Sequence, residues 1–147
     1  MSIHMREANV SDAVALAGLL TELGYPTDAG SLPGRLARLD AGGSAIALVA
    51  EHEGQVVGLV TAHAFSSIHA DGEMGRLTAL VVTSKARHQG IGRQLMTAAE
   101  SWLQSRGCVR SSVVSGIGRV EAHEFYAKMG YKRTGLHFTR TFPLEDS

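Results

Sequence analysis

Apolar positions in this chain fall into short runs whose period switches between two and roughly 3.6, so strands and helices should alternate. Ile3 to Arg6 reads as a short strand. Ser11 then reads as a helix cap, with Asp12 in the first turn, where a carboxylate favours the helix dipole. Leu16, Leu19, Leu20 and Leu23 repeat at helical spacing, and Gly24 is a stop. Leu32, Leu36 and Leu39 repeat in the same way within Asp28 to Ala41, although Pro33 and two glycines should break that helix. Ala45 to Glu51 and Gln55 to Ala64 are rich in Val, Ile and Leu and flank Glu53-Gly54, a hairpin pattern. Ser66 to Glu73 reads as a loop, and Leu77 to Thr83 is the clearest strand.

The clearest helix is Gly92 to Arg106, with Ile91, Leu95, Ala99, Trp102 and Leu103 as its buried stripe and Gly107 as its stop. Val109 to Ser115 reads as a strand. Arg119 to Met129 reads as a helix, with Ala122, Phe125, Tyr126 and Met129 on one face and Gly130 as its stop. Arg133 to Phe142 should close the chain as a strand. The order βαα-βββ-αβαβ predicts an α/β sandwich around a mixed sheet, and no linker or repeat divides the chain, so one domain over 1–147 is expected.

Composition narrows the function classes. With 147 residues, 44% apolar and 19% charged, the chain can bury a core. Fourteen basic and fourteen acidic residues cancel, which argues against a nucleic-acid coat or a polybasic membrane surface. No apolar run is long enough for a transmembrane helix, and the first residues lack a signal-peptide pattern. The single cysteine, Cys108, has no internal partner and fits a reducing cytoplasm. Seven histidines are many, but none stands at metal-ligand spacing, so no metal is expected.

The chemistry points to one turn. Leu80-Val81-Val82 leads into Arg87-His88-Gln89-Gly90-Ile91-Gly92 and then a helix. The first N–H groups of a helix lack intrahelical partners and carry positive potential, so they bind anions. Gly90 and Gly92 lack Cβ and let phosphate oxygens approach, while Arg87 and Arg93 add charge. The string is not a P-loop, because no Gly-x4-Gly-Lys-Ser/Thr occurs. Nor is it a dinucleotide turn, because Leu95 stands where the third glycine belongs.

The turn resembles the acyl-CoA pyrophosphate loop of the GNAT N-acetyltransferase superfamily, Gln/Arg-x-x-Gly-x-Gly/Ala. Ala122 to Tyr131 resembles that family's second signature, in which Ala and Phe-Tyr precede Gly-Phe or Gly-Tyr. Ala122-His123-x-Phe125-Tyr126, Gly130-Tyr131 and Phe138-Thr139 look most like aminoalkylphosphonate N-acetyltransferases and their relatives. The resemblance implies a GNAT-like fold, with a mixed, mostly antiparallel sheet flanked by about four helices. It implies acetyl-CoA as co-substrate, a pantetheine arm paired with Leu80, Val81 and Val82, and pyrophosphate on Arg87 to Arg93. It implies a small primary amine, with or without an anionic group, as acceptor. Relatives in that family are often dimers, so the resemblance leaves both a monomer and a homodimer open, with Arg133 to Phe142 as a candidate edge strand for the latter.

Two positions depart from the family pattern. Arg119 stands where members often carry a cofactor-contacting Asn, and Arg76 to Val82 holds no acidic residue to act as base. Tyr126 matches the family's acid, which protonates the leaving thiolate. Glu73, His69 and His63 are candidate bases, and Arg76 is a candidate for an anionic substrate group. Cys108 follows Gly107 with no base beside it, so direct transfer in a ternary complex is expected rather than an acyl-enzyme. The missing glutamate leaves a non-catalytic acyl-CoA sensor as an alternative. A protein lysine or N-terminal acetyltransferase is another.

Overall fold

In the computed structural model the described residues are 2–114 and 120–144. They fall into two compact units, Met1–Val113 and Val114–Ser147. In the first unit the elements are β1 (His4–Glu7), α1 (Ala13–Leu23), α2 (Leu32–Ala41), β2 (Ala45–His52), β3 (Gln55–Phe65), β4 (Glu73–Val82), α3 (Ile91–Ser105) and β5 (Cys108–Val113). The second holds α4 (Val120–Lys128). The fold is α/β, with a mixed, mostly antiparallel sheet and four α-helices among the described residues. Strands lie in the order β1-β2-β3-β4-β5; the first three pairings are antiparallel and β4–β5 is parallel. The parallel pair requires a crossover, which α3 supplies.

Each sheet face has its own apolar cover. Leu16 and Leu19 of α1 and Leu32 and Leu36 of α2 pack with Val49, Leu59 and Val81 on one face. On α3, Ile91, Leu95, Met96, Ala99 and Leu103 are buried, which is the expected stripe with Met96 in place of Trp102. Trp102 is only half-buried and lies under the Arg106 guanidinium, 5.2 Å from its ring centre.

Several boundaries differ from expectation, each for a physical reason. Asn9, not Ser11, opens the first helical stretch: its side chain accepts from Ser11 N, and Asp12 accepts from Asn9 N, the reciprocal arrangement of a capping box. Asp12 is committed elsewhere too, since Arg6 of β1 donates to both its oxygens at 2.8 and 2.9 Å. Arg6 also donates to Glu51 of β2 at 2.8 Å, so one guanidinium ties β1, β2 and the start of α1. Pro33 does not break α2, because it sits in the first turn, where the missing N–H is harmless.

The expected closing strand, Arg133 to Phe142, is not formed. Residues 131–144 carry no regular secondary structure, and Leu136, Phe138 and Phe142 are 77%, 86% and 75% exposed. Alternating apolar residues make a strand only where a neighbour supplies both a ladder and a face to bury. The segment therefore offers no strand edge for a dimer.

Asp12→Ala should strand Arg6 and remove the cap bond to Asn9. It is expected to cost about 2–3 kcal/mol in urea unfolding. The Arg6 hydrogen bond, chiefly, holds the Asp12 carboxyl below its ordinary range. Its contribution is therefore complete above the unfolded value of about 3.9 and is lost as pH falls through the lower folded value. Wild type should lose stability in that acid window more steeply than the variant.

Candidate functional site

The site begins where two strands part. The β4–β5 ladder runs from Glu73↔Cys108 to Leu77↔Val113 and ends there, while β4 continues to Val82. Thr78 to Val82 therefore have β3 on one side and, among the described residues, no ladder partner on the other. A bulge lies at the start of this stretch. Ala62 pairs with Leu77 and Thr61 with Ala79, so Thr78 is the extra residue on β4. Past the strand, Thr83 N donates to Val57 O at 2.8 Å, which sets the alternation. The N–H groups of Leu80 and Val82 then face the open side. The carbonyl of Val82 is already held by Arg87 Nε at 3.1 Å.

The chain then turns into α3. His88 (φ 66) and Gly90 (φ 79) both adopt the left-handed conformation, which reverses the chain within a few residues. Gly90 is the N-cap and has no side chain to cap the helix, and among the described residues no side-chain bond to the first α3 N–H groups is seen. A Cβ on Gly90 would meet no atom within 4 Å, so the turn is open to solvent. Arg87, His88, Gln89 and Arg93 are exposed around it, Gly92 is half-buried, and Ile91 is buried beneath. The arrangement is an uncapped helix N-terminus with two cations beside it, suited to an anion.

Two features fix the turn in place. Gly58 of β3 lets α3 lie close, since a Cβ there would come within 2.8 Å of Leu95 and 3.5 Å of Ile91. On the other face, Glu22 at the end of α1 accepts from Thr83 Oγ1 and Ser84 N, both at 2.9 Å, and lies 3.9 Å from Arg87. The Ser84 N–H bond, first among its partners, holds the Glu22 carboxyl below its ordinary range. Sequence reasoning missed Glu22: sixty-one residues separate it from Thr83, and no motif marks it.

The base candidates separate. Glu73 starts β4 and accepts from Ser66 Oγ at 2.9 Å; it lies five residues before Thr78, roughly 16 Å along the strand. His69 is exposed, earlier still, and bonded to Ser67. His63 of β3 is different. Its Nε2 lies 2.9 Å from Thr78 Oγ1, which lies 2.5 Å from Thr61 Oγ1. His63 thus reaches the bulge where the sheet opens. Burial, and then the Arg76 charge, push its pKa below the ordinary histidine value, so the ring is neutral at pH 7. Arg76 faces His63 in the ladder and stacks on Phe65, 5.3 Å from the ring centre. Cys108 is moved the other way: burial, and then Glu73, raise its thiol above the ordinary range.

In the second unit Tyr126 is half-buried on α4 and packs edge-on against Phe125, 5.7 Å between ring centres. Tyr131 N donates to Tyr126 O at 2.9 Å past Gly130, whose φ of 91 ends the helix. Arg119 lies outside the described residues. Among the described residues no group of three His, Cys, Asp or Glu could hold a metal, and no helix is long and apolar enough to cross a membrane.

Comparison with known proteins accords with this geometry. The family model described as Acetyltransferase (GNAT) family matches residues 19–131. The chain belongs to the GNAT family. An aminoalkylphosphonate N-acetyltransferase from Salmonella typhimurium is 34% identical over 92 residues, 63% of this chain and 60% of that protein. An aminoglycoside N(6')-acetyltransferase type 1 from Stenotrophomonas maltophilia is 28% identical and covers 97% of this chain and 95% of its own. A GNAT family acetyltransferase from Staphylococcus aureus superposes with a TM-score of 0.81 at 27% identity, covering 97% of this chain and 100% of that one. The match spans less than two thirds of the Salmonella relative and 40% of a rat N-acetyltransferase family 8 member 2.

Gly58→Val should overpack the seat of α3 and cost roughly 1–3 kcal/mol in urea unfolding, because Leu95 and Ile91 must move. An unchanged midpoint would show that α3 does not rest on Gly58.

Proposed function

We propose that this GNAT chain acts as one acyltransferase domain that moves the acetyl group of acetyl-CoA to a primary amine of a small molecule, by direct attack in a ternary complex. The observation that carries the reading is the continuity of the open β4 stretch with the uncapped N-terminus of α3. A thioester with a diphosphate tail needs those two things in series. Leu80, Val81 and Val82 offer backbone groups to the extended pantetheine arm. The turn from Arg87 to Arg93 offers N–H groups and cations to the pyrophosphate. Arg119, three residues before Ala122 in the sequence, is assigned to the cofactor by its motif position alone. The names of the two bacterial enzymes, an aminoalkylphosphonate and an aminoglycoside transferase, support a small-molecule acceptor.

In the reaction the amine nitrogen bonds the acetyl carbon and the carbon–sulfur bond breaks. Charge develops on the carbonyl oxygen, where an N–H of the open β4 edge can stabilise it. The leaving thiolate needs a proton, a role assigned to the Tyr126 phenol by its motif position alone, and the amine gives its proton to a base. Only about one alkylamine in a thousand is neutral at pH 7, so a base must act on the acceptor. Glu73 and His69 are poorly placed for this, lying toward the far end of β4 from its open stretch. The raised Cys108 thiol supports direct transfer over an acyl-enzyme.

The test is thiol release from acetyl-CoA across small amines, lysine peptides and N-terminal peptides. Turnover is expected with small amines, and Tyr126→Phe should lower it at least about tenfold, a positioned acid typically supplying about 10²–10⁴. Gly90→Val should weaken acetyl-CoA binding by more than about tenfold, since a β-branched residue at positive φ both strains the turn and covers it. Binding without turnover would favour the sensor reading, and turnover only with peptides a protein acetyltransferase. Absence of acetyl-CoA binding would refute the proposal.

A further inference from the structure

A second concavity lies beside the open edge. It occupies about 390 Å³ between the C-terminal half of α2, the loop into β2, and β3, and its walls include Arg35, Arg38, Leu39, Ser44 and His63. That volume suits a metabolite-sized ligand. No carboxylate lines it. Arg35 and Arg38 stand three residues apart on α2 and so share one face. Neither forms an ion pair with a carboxylate among the described residues; the one hydrogen bond described for them is Arg35 to Thr27 Oγ1 at 3.5 Å. The loop between α2 and β2 is held from outside, by Arg106 donating to the Gly43 carbonyl and by Ala64 N donating to Ser44 O at 2.7 Å. The cleft is thus a braced, cationic hollow.

His63 makes the cleft part of a reaction site, because one side chain belongs to both places. It forms a wall of the hollow, and its Nε2 bonds Thr78 Oγ1 at the point where β4 leaves β5. An acceptor lying in the cleft with one end at the arginines would have its other end beside the thioester-binding edge.

We infer that this cleft is the acceptor site, that Arg35 and Arg38 bind an anionic group at one end of the acceptor, and that His63, through the Thr78 hydroxyl, takes the proton from the amine at the other. The inference rests on the acetyltransferase reading and adds to it the acceptor's class, a primary amine with a carboxylate, phosphonate or phosphate tail. The proton balance is simple. The ammonium gives one proton to Thr78 Oγ1, which passes its own hydroxyl proton to His63 Nε2. The resulting imidazolium then releases a proton to water in the open cleft. Among the described residues the charged groups beside His63 are cationic, Arg76 in the ladder and Arg35 and Arg38 on the cleft wall from α2, and its β2 neighbour is Ala45. Burial first, and then the Arg76 charge, lower its pKa and keep the ring ready to accept.

The experiment compares primary amines of similar length: β-alanine and aminoethylphosphonate, propanolamine, and diaminopropane. Wild type should prefer the anionic amines in kcat/KM by about tenfold or more, equivalent to about 1.4 kcal/mol. Arg35→Gln with Arg38→Gln should abolish that preference and leave the KM for acetyl-CoA unchanged. His63→Gln should lower kcat by about a hundredfold or more while keeping the anionic preference. Wild-type kcat/KM should fall on acidification with an apparent pKa below the ordinary histidine value, and that limb should vanish in His63→Gln. Propylphosphonate, which carries no amine, gives a readout independent of turnover. It should shift the His63 ring signals in NMR of wild type and not of the double arginine variant. A preference for neutral or dicationic amines, a double variant that keeps the anionic preference, or no propylphosphonate response would overturn the cleft assignment. An acid limb unchanged in His63→Gln would overturn the base assignment. Turnover that persists in any of these cases leaves the acetyltransferase reading standing, so the two failures are distinguishable.

Discussion

The candidate site depends on a stretch of β-strand that, among the described residues, has a neighbour on one side only. β4 outruns β5 by five residues, Thr78 to Val82, and the backbone groups that a sixth partner would satisfy face outward there. Unpaired strand edges invite aggregation and leave polar groups poorly satisfied, so proteins blunt or cover them. This edge is short, carries a bulge at its start, and has one carbonyl occupied by Arg87. What remains open is a few N–H and C=O groups in an extended register, a template for another extended chain of amides. The pantetheine arm of a coenzyme A thioester is such a chain.

The rest of the first unit holds that edge rigid. α1 and α2 press one face through Leu16, Leu19, Leu32 and Leu36, and α3 presses the other through Ile91, Leu95 and Leu103. Gly58 and Gly75 let α3 lie close, and a Cβ at Gly75 would lie 2.7 Å from Leu103. Close seating aims the α3 N-terminus along the continuation of β4. Glu22 works from the opposite face, binding Thr83 and Ser84 just where strand becomes turn. A carboxylate beside an anion-binding turn would be costly if it faced the anion, but here its oxygens are spent on a hydroxyl, an N–H and a guanidinium.

How much of this was legible follows from which parts are local. The run Leu77 to Thr83, the glycine turn and the stripe from Ile91 to Leu103 are encoded within thirty residues, and they were read correctly in kind and order. The family follows from the two motifs and is matched over residues 19–131. What the sequence did not reveal is set by pairing. The end of the β5 ladder at Val113 and the bulge at Thr78 depend on register, which no single strand carries. The same limit explains the closing strand expected over Arg133 to Phe142: its alternation is real, but its apolar side chains Leu136, Phe138 and Phe142 are exposed. Pro33 was misjudged because its effect depends on whether it falls in the first turn or the middle of a helix.

The base shows the same division more sharply. Sequence distance favours Glu73, which starts the central strand, and His69, in the loop before it, over His63, which sits fifteen residues before Thr78. Antiparallel pairing reverses that order. β3 folds back on β4, so a residue farther away in the chain comes beside the bulge, while Glu73 is carried roughly 16 Å along the strand from it. On the proposed reading the base missing from β4 comes from the neighbouring strand, from a ring that burial, and then the Arg76 charge, hold below the ordinary histidine range. In the proposed acceptor cleft a neutral imidazole places no negative charge beside Arg35 and Arg38, so the proposed base and the proposed anionic acceptor are compatible in one hollow.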